Sequence, residues 1–475
     1  MARIFEWHEV SIAEERTMGL ARKLAGRITA MRYEDLPDEA IHWAKIGILD
    51  TVGVALAGSR EDTMGMVERV TVAGAGSGPC VIFGRDRRAS PLDAALINGT
   101  ASHALDFDDC NNTMGGHPSA PMVPALIALG ETLDVNGEEF ILAYVAGFET
   151  ETKIALGVNF HHYEKGWHPT ATLGTFGSAA ACAKLLGLSV SGTETALAIA
   201  VSLASGVKAN FGTMTKPLHI GHCSRNGLFA ALLAREGFTA NGEAFEHKQG
   251  FLNVFNGPGN FDMQKTLDHW ADPLDIVKPG LAVKQYPCCG STHSAIDAML
   301  EIVRERDLTP GNVEKIASLT HTRRLVHTNR PDPRSPLEAK FSLQYCLARA
   351  VIDGKIVLEH FEGDAYLDGE TRALMALIHA RPHDESNHFG ARVTVTTKDG
   401  ESYTKETPYA LGRGPDNPMP GELLRAKFEN CAGRALSADR VARLYGAFQD
   451  FENLRAIGDL TAIMAAPVAA QPAAE

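Results

Sequence analysis

The sequence has no CxxC pair, no long unbroken apolar run and no excess of positive charge. Its eight cysteines, at 80, 110, 182, 223, 288, 289, 346 and 431, are scattered. The spacing therefore encodes neither a paired-thiolate zinc site nor an iron–sulfur run, and the cysteines are expected to be thiols in a reducing compartment. Adjacent Cys288 and Cys289 are badly placed to bridge each other. The greasiest stretch, 120–129, is broken by Pro121 and Pro124 and closed by Glu131, short of the roughly 20 apolar residues of a membrane helix. The N-terminal MARIFEWHEVSIAEERTMGLARKLAGRI is charged throughout and lacks the apolar core of about 7 to 15 residues that marks a signal peptide. These absences predict a cytoplasmic protein without a membrane span. Lys+Arg 45 against Asp+Glu 58 gives a net charge of −13, the wrong sign for general affinity to nucleic acid or an anionic membrane.

What is present is a globular composition, 45% hydrophobic and 22% charged over 475 residues, enough for two or three domains with a large core. From Ala13 to about Asn253 the pattern is helical. Leu36-Pro37-Asp38-Glu39 opens a segment whose apolar positions Ala40, Ile41, Ala44, Ile48, Val52 and Ala55 repeat at helical spacing until Gly58. Ser191 with Glu194 reads as a capping box. Thr170 to Leu186, rich in Ala, Gly and Ser, predicts a helix packed closely on most sides. After about Pro273 the pattern changes: 313–321 and 391–397 read as strands, the second turning at Lys398-Asp399-Gly400 and returning over 401–406, with helices over 342–351 and 369–378. Residues 420–451 turn helical again. The fold class is mainly α: an all-helical domain over 1–272, a smaller α+β lid domain over 273–412, a helical return over 413–464 and a frayed low-complexity tail over 465–475.

Gly74-Ala75-Gly76-Ser77-Gly78 imitates a nucleotide-binding loop, but it follows a helical stretch and runs into a strand, the reverse of what a dinucleotide fingerprint requires. Four other clusters carry chemistry. In NGTASHALDFDDCNNTMGGHP (98–118), His103, Asp106, Asp108, Asp109 and His117 crowd a loop that follows a helix, and a carboxylate beside a histidine orients an imidazole for proton transfer. The bland alternative is aspartates capping a turn. His168 stands just before a helix start, with Pro169 in the first turn. The run 215–225, TKPLHIGHCSR, places Lys216, His219, His222 and Arg225 ahead of a helix over 226–235; they form either a solvated face or an enclosed cationic patch. Lys284 to His293, KQYPCCGSTH, opens the α+β segment. None of the histidine and cysteine spacings makes a metal site.

These clusters, together with ILDTVGVALAG (48–58), HPSAPMVPALIALGE (117–131), GWHPTATLGTFGSAAA (166–181) and GRGPDNPM (412–419), resemble the MmgE/PrpD family, which contains 2-methylcitrate dehydratase, cis-aconitate decarboxylase and an iminodisuccinate epimerase. The resemblance implies a helical domain with an α+β lid, a homodimer formed through the helical domain, no metal or organic cofactor, and a small polycarboxylate substrate. It implies catalytic roles for Asp106, His117, His168 and Lys216. Two departures stand out: Cys289 where the decarboxylase has a histidine, with only the later His293 kept, and His327 where it has a tyrosine. There is also one extra residue between Asp106 and His117, and Cys110 where threonine is typical. On this reading the chain is a hydro-lyase of the 2-methylcitrate dehydratase kind, the alternatives being an epimerase, a decarboxylase, or a binder that keeps the pocket without the chemistry. Lys216, with Arg225 and Lys284, is expected to hold carboxylates, His168 or Lys216 to take the α-proton, and His117, oriented by Asp106, to protonate the leaving hydroxyl. His103, Cys289, His293 and His327 complete the expected substrate-binding set.

Overall fold

The computed structural model describes residues 18–72 and 78–465. The N-terminal segment 1–17, glycines 74 and 76 of the decoy loop and residues 466–475 of the tail lie outside the described residues. The chain forms two compact units. The first comprises the chain up to Ala104, Asp108–Leu281 and Leu424 onward; the second comprises Leu105–Phe107 and Ala282–Leu423.

The first unit is built of helices α1 (Leu20–Ala30), α2 (Asp38–Gly58), α3 (Asp62–Val72), α4 (Pro91–Ala104), α5 (Ser119–Leu133), α6 (Gly137–Val158), α7 (Pro169–Leu185), α8 (Val190–Leu203) and α9 (Thr215–Arg235). A two-stranded ribbon, β1 (Cys80–Val81) with β2 (Arg88–Ala89), lies between α3 and α4. α7 packs on α5, α6, α8 and α9, and α4 packs on α2, α5 and α9. Because α7 is surrounded, Pro169 to Ala183 are all buried, which is why its sequence shows small residues rather than an apolar stripe. α6 begins at Asn136, whose side chain accepts from Glu139 N–H while Glu139 returns the bond to Asn136 N–H, a full capping box. α2 is long and apolar enough by composition to cross a membrane, contrary to the expectation that no stretch is; 78% of its most apolar window is buried inside the protein, as befits a core helix.

Three expectations fail locally. α8 is capped by Ser189, which accepts from Gly192 N–H; Glu194 instead pairs with Arg22 of α1 at 2.9 Å. α9 begins at Thr215, eleven residues before the expected start, because Pro217 falls in a first turn that has no need of its N–H. The helix expected over 369–378 ends at Met375 and is followed by a strand.

The second unit contains α10 (His293–Arg306), α11 (Thr322–Thr328), α12 (Leu343–Asp353) and α13 (Gly369–Met375), with β3 (Val313–His321), β4 (Ile378–His383), β5 (Ala391–Thr397) and β6 (Ser402–Thr407). The sheet order is β4-β3-β5-β6, with β3 and β4 parallel and the other pairs antiparallel. β4 reads IHARPH; its Pro382 is tolerated because the strand lies at the sheet edge. α10 packs on β5, β6 and α12, over a core that includes Met299, Ile316, Leu347 and Val393. α14 (Gly421–Ala432), which enters the first unit at Leu424, α15 (Ala438–Gln449) and α16 (Ile457–Met464) complete the helical body. Lys427 of α14 reaches Asp50 of α2 at 2.6 Å in the interior.

Candidate active site

In the first unit, α4 ends with His103 fully buried, and the chain becomes irregular until Ser119. Asn111 organises the return: its backbone pairs with Gly116, its side-chain oxygen accepts from Met114 N–H, and its amide donates to Gly280 O at 2.9 Å. Gly115, at φ 62°, makes the turn. Gly116 lies close against Thr170, where a Cβ would be 2.8 Å from its Oγ1 and 3.0 Å from its N, and Thr170 Oγ1 accepts from His117 N–H at 3.1 Å. His117 is thereby held beside the first turn of α7, where His168 is the N-terminal flanking residue. His168 is fixed from the other side by its N–H to Gly206 O, 3.0 Å.

The imidazoles converge on a carboxylate to which no role was assigned from sequence. Asp108 Oδ2 lies 2.7 Å from His103 Nδ1 and 3.1 Å from His117 Nδ1. The rings of His103 and His117 are 4.6 Å apart and those of His103 and His168 are 5.8 Å apart. His168 Nδ1 lies 3.2 Å from His219 Nδ1, and Phe211 stands edge-on to His168 at 4.8 Å with the Lys216 ammonium 5.3 Å from its centroid. Lys216 is 4% exposed. Since α9 starts at Thr215, Lys216 and His219 are three residues apart on one helix face. His219 was missed as a site residue because the expected helix began after it. Arg225 is nine residues from Lys216, about half a turn round the helix from it, so α9 does not bring these two expected carboxylate holders together.

Burial drives His103 down to about 3, more than the Asp108 carboxylate raises it. His168 is pushed well below its ordinary value by burial, then by His103, Lys216 and His219; His219 is lowered by burial and by His222 and Lys216. Burial works to raise the Asp108 carboxyl, but His103 and His117, by charge and hydrogen bond, hold it well below the carboxylate range. The cluster is thus a buried carboxylate with two imidazole Nδ1 atoms in hydrogen-bond reach, and His103, held neutral by its burial, donates Nδ1–H to it and keeps a lone pair on Nε2. His103 Nε2 is buried without a hydrogen-bond partner. Asp109, next in sequence, plays a different part: it accepts from Ser119 Oγ, which is 2.6 Å from Tyr144 Oη, and burial raises its carboxyl well above the usual range. His103, Asp108 and His117 offer donors within 4.8 Å of one another, yet their approach is that of N–H···O bonds, which an ion would have to displace.

The remaining expected residues lie in the second unit. Asp106, at φ 53°, faces Lys284, whose Nζ is 3.3 Å from Asp106 Oδ1 and donates to its backbone O at 2.6 Å. Within the first unit, Asp108 is the carboxylate whose Oδ2 meets both imidazoles, and Asp106 belongs to the second. Lys284 is likewise engaged with a carboxylate of its own chain. Cys289 and His327 do come together, whereas His293 turns inward, its Nε2 3.3 Å from Cys288 O and its ring 5.1 Å from Tyr286. Ser291, Arg324 and Arg413 join Cys289 and His327 there without having been singled out from sequence.

The MmgE/PrpD N-terminal domain matches residues 22–264 and the C-terminal domain matches residues 286–452. The chain is 31% identical over 467 residues to a cis-aconitate decarboxylase of Mus musculus, covering 94% of each. It is 31% identical to the Homo sapiens cis-aconitate decarboxylase, covering 94% of this chain and 95% of that one. A cis-aconitate decarboxylase-like protein of Aspergillus oryzae is 27% identical, covering 93% and 96%.

Proposed function

The chain belongs to the MmgE/PrpD family, and from that premise we propose that it is a lyase acting on a small polycarboxylate by acid–base chemistry. The observation that carries this reading is Asp108 within hydrogen-bond reach of two imidazoles, His103 and His117, with His168, His219 and Lys216 gathered alongside. A hydrogen next to a carboxylate is weakly acidic, and its removal builds charge on an already anionic molecule. A lone pair at His103 or His117 Nε2 serves as the base, and the Lys216 ammonium, with the N-terminus of α7, compensates the charge.

Among lyase reactions, we favour elimination of water from a 2-hydroxy polycarboxylate. Decarboxylation of an unsaturated acid needs a proton donor at carbon but no base to break a C–H bond. Elimination begins with a proton passed to the enzyme, and His103, His168 and His219, pushed toward the neutral form, each keep a ring nitrogen able to accept one. The second reading is cis-aconitate decarboxylation, favoured by the activity named for the relatives at 31% identity. It requires that Cys289 and His327 stand in for the histidine and tyrosine expected at those positions. Further roles proposed from the resemblance are an epimerase reaction, a homodimer and a cytoplasmic location.

Proton NMR in D₂O of citrate, 2-methylcitrate, cis-aconitate and iminodisuccinate with the enzyme separates these. Appearance of an alkene resonance from a hydroxy acid is the expected result. Loss of CO₂ from cis-aconitate establishes the second reading, and deuterium entry without an alkene establishes an epimerase.

A further inference from the structure

His219 stands half-buried near the start of α9, three residues before the exposed His222. Its Nδ1 lies 3.2 Å from His168 Nδ1, and His168 is buried. Gly206 seats both rings. Its O accepts the His168 N–H at 3.0 Å, and its backbone, at φ 123°, passes so near that a Cβ would be 3.4 Å from His219 Nδ1. Toward the interior, the His103 ring is 5.8 Å from that of His168, and His103 Nε2 is buried without a hydrogen-bond partner. A line of imidazoles therefore runs from the Asp108 carboxylate through His103 and His168 and ends at the half-exposed ring of His219, all within the first unit.

Two neutral imidazoles that meet Nδ1 to Nδ1 share one hydrogen and so hold opposite tautomers. In one arrangement His168 has Nδ1–H and a bare Nε2, while His219 has a bare Nδ1 and Nε2–H; in the other, all four are reversed. We propose that His219 is a proton-relay residue, which carries out to solvent the proton that enters at His168 Nε2 and returns one by the reverse path. On the way out, an N–H bond forms at His168 Nε2 and breaks at Nδ1, forms at His219 Nδ1 and breaks at Nε2, where water or buffer takes the proton. This converts the first arrangement into the second, and the inward passage restores it. Elimination of water needs both passages, since each turnover takes a proton from carbon and gives one to the leaving hydroxyl. The relay thus deepens the elimination reading above and rests on it. The surroundings keep the pair from trapping the proton: burial, His103 and Lys216 oppose charge on His168, and burial, His222 and Lys216 oppose it on His219.

The test compares the wild type, His219→Asn and His219→Ala on the acid that the NMR panel identifies, in dilute phosphate and with imidazole added. His219→Asn keeps a side-chain amide able to hydrogen-bond His168 Nδ1 but unable to pass a proton on. Both variants should lose about 10²-fold in kcat, the lower end for a positioned proton-transfer group, with KM within a few-fold. Imidazole should restore His219→Ala in proportion to its concentration and leave the wild type unchanged. Thiazole, a ring of the same size and far weaker basicity, should restore nothing. Wild-type kcat for His219→Asn, or no rescue of His219→Ala by imidazole, overturns the relay, while turnover of the acid keeps the lyase reading. A second measurement needs no substrate: ¹⁵N spectra of the histidine-labelled protein at neutral pH should show opposite tautomers for His168 and His219, with a scalar coupling across the N–H···N bond. If no acid is turned over, the lyase reading fails and these spectra decide alone. Opposite tautomers keep the proton-sharing pair, and the same tautomer in both rings overturns it and the relay with it.

Discussion

Asp108 has no exposed surface, and its Oδ1 has no hydrogen-bond partner while Oδ2 accepts from two imidazoles. An asparagine there can still turn one oxygen to both rings, but it loses the negative charge and buries an NH2 where Oδ1 has no partner. Asp108→Asn is expected to lower kcat by about 10²- to 10⁴-fold, the range for loss of a positioned acid–base group, with KM within a few-fold, read by steady-state kinetics on whichever acid the NMR panel identifies. An equal rise in KM with kcat intact would make Asp108 a binding residue instead. The same residues set a pH dependence of stability. His103 has its folded pKa lowered to about 3, against about 6.5 when unfolded. Above about 6.5 both states hold it neutral and it adds no slope. As pH falls toward 3 the unfolded chain takes up the proton and the folded one does not, so stability falls. Asp108, also lowered, adds loss below about 4, where the unfolded carboxyl protonates first. Urea midpoints between pH 7 and 4.5 should therefore drop in the wild type and drop less in His103→Gln.

At the level of elements, the crossing of α4 and α9 places Lys216 and His219, and Gly221 makes it possible. A Cβ at Gly221 would fall inside contact distance of Thr100 Oγ1 and Leu96 O of α4, and the Leu96 carbonyl, being backbone, cannot rotate away. Gly221→Ala should cost about 1 to 3 kcal/mol, the usual price of overpacking, while Gly446→Ala in α15, with nothing within 4 Å of its Cβ, should gain about 0.4 to 1 kcal/mol; urea unfolding of both variants reads the contrast. This crossing also shows where sequence reading reaches and where it stops. Local chemistry was legible: the Pro37-Asp38-Glu39 start of α2, the His168-Pro169 start of α7, and the alternation of β5, whose burial runs in, out, in along its length. β4 was not, since an edge strand with Pro382 shows little alternation, its burial being clear only at Ile378. The start of α9 was not, since Pro217 and two histidines look like a loop until α4 packs against Gly221. Asp106, Asp108 and Asp109 stand within four residues, and sequence alone does not tell Asp108, which meets two imidazoles, from Asp109, which turns to Ser119.

At the scale of the whole chain, the backbone passes between the two units at 104–105, 107–108, 281–282 and 423–424, yet each unit has its own buried core. The second holds Tyr286, Met299, Ile316, Tyr345, Phe361 and Val393 among its buried side chains. A core of this kind is what lets a segment melt as a cooperative unit of its own. The described tryptophans, Trp43, Trp167 and Trp270, all fall in the first unit, and none stands between 282 and 423. Tryptophan fluorescence therefore reports the helical unit, while the far-UV circular dichroism signal sums both. In urea the two curves are expected to separate, because coincidence of probes is the mark of a single all-or-none transition and two cores need not share one. Val393→Ala, in the middle of β5 and fully buried, should then shift the dichroism curve to lower urea by the loss of about 1 to 3 kcal/mol typical of truncating a buried aliphatic side chain, and leave the fluorescence curve in place. If both probes moved together, the four chain crossings would have fused the units into one cooperative structure, and the second could not open independently of the first.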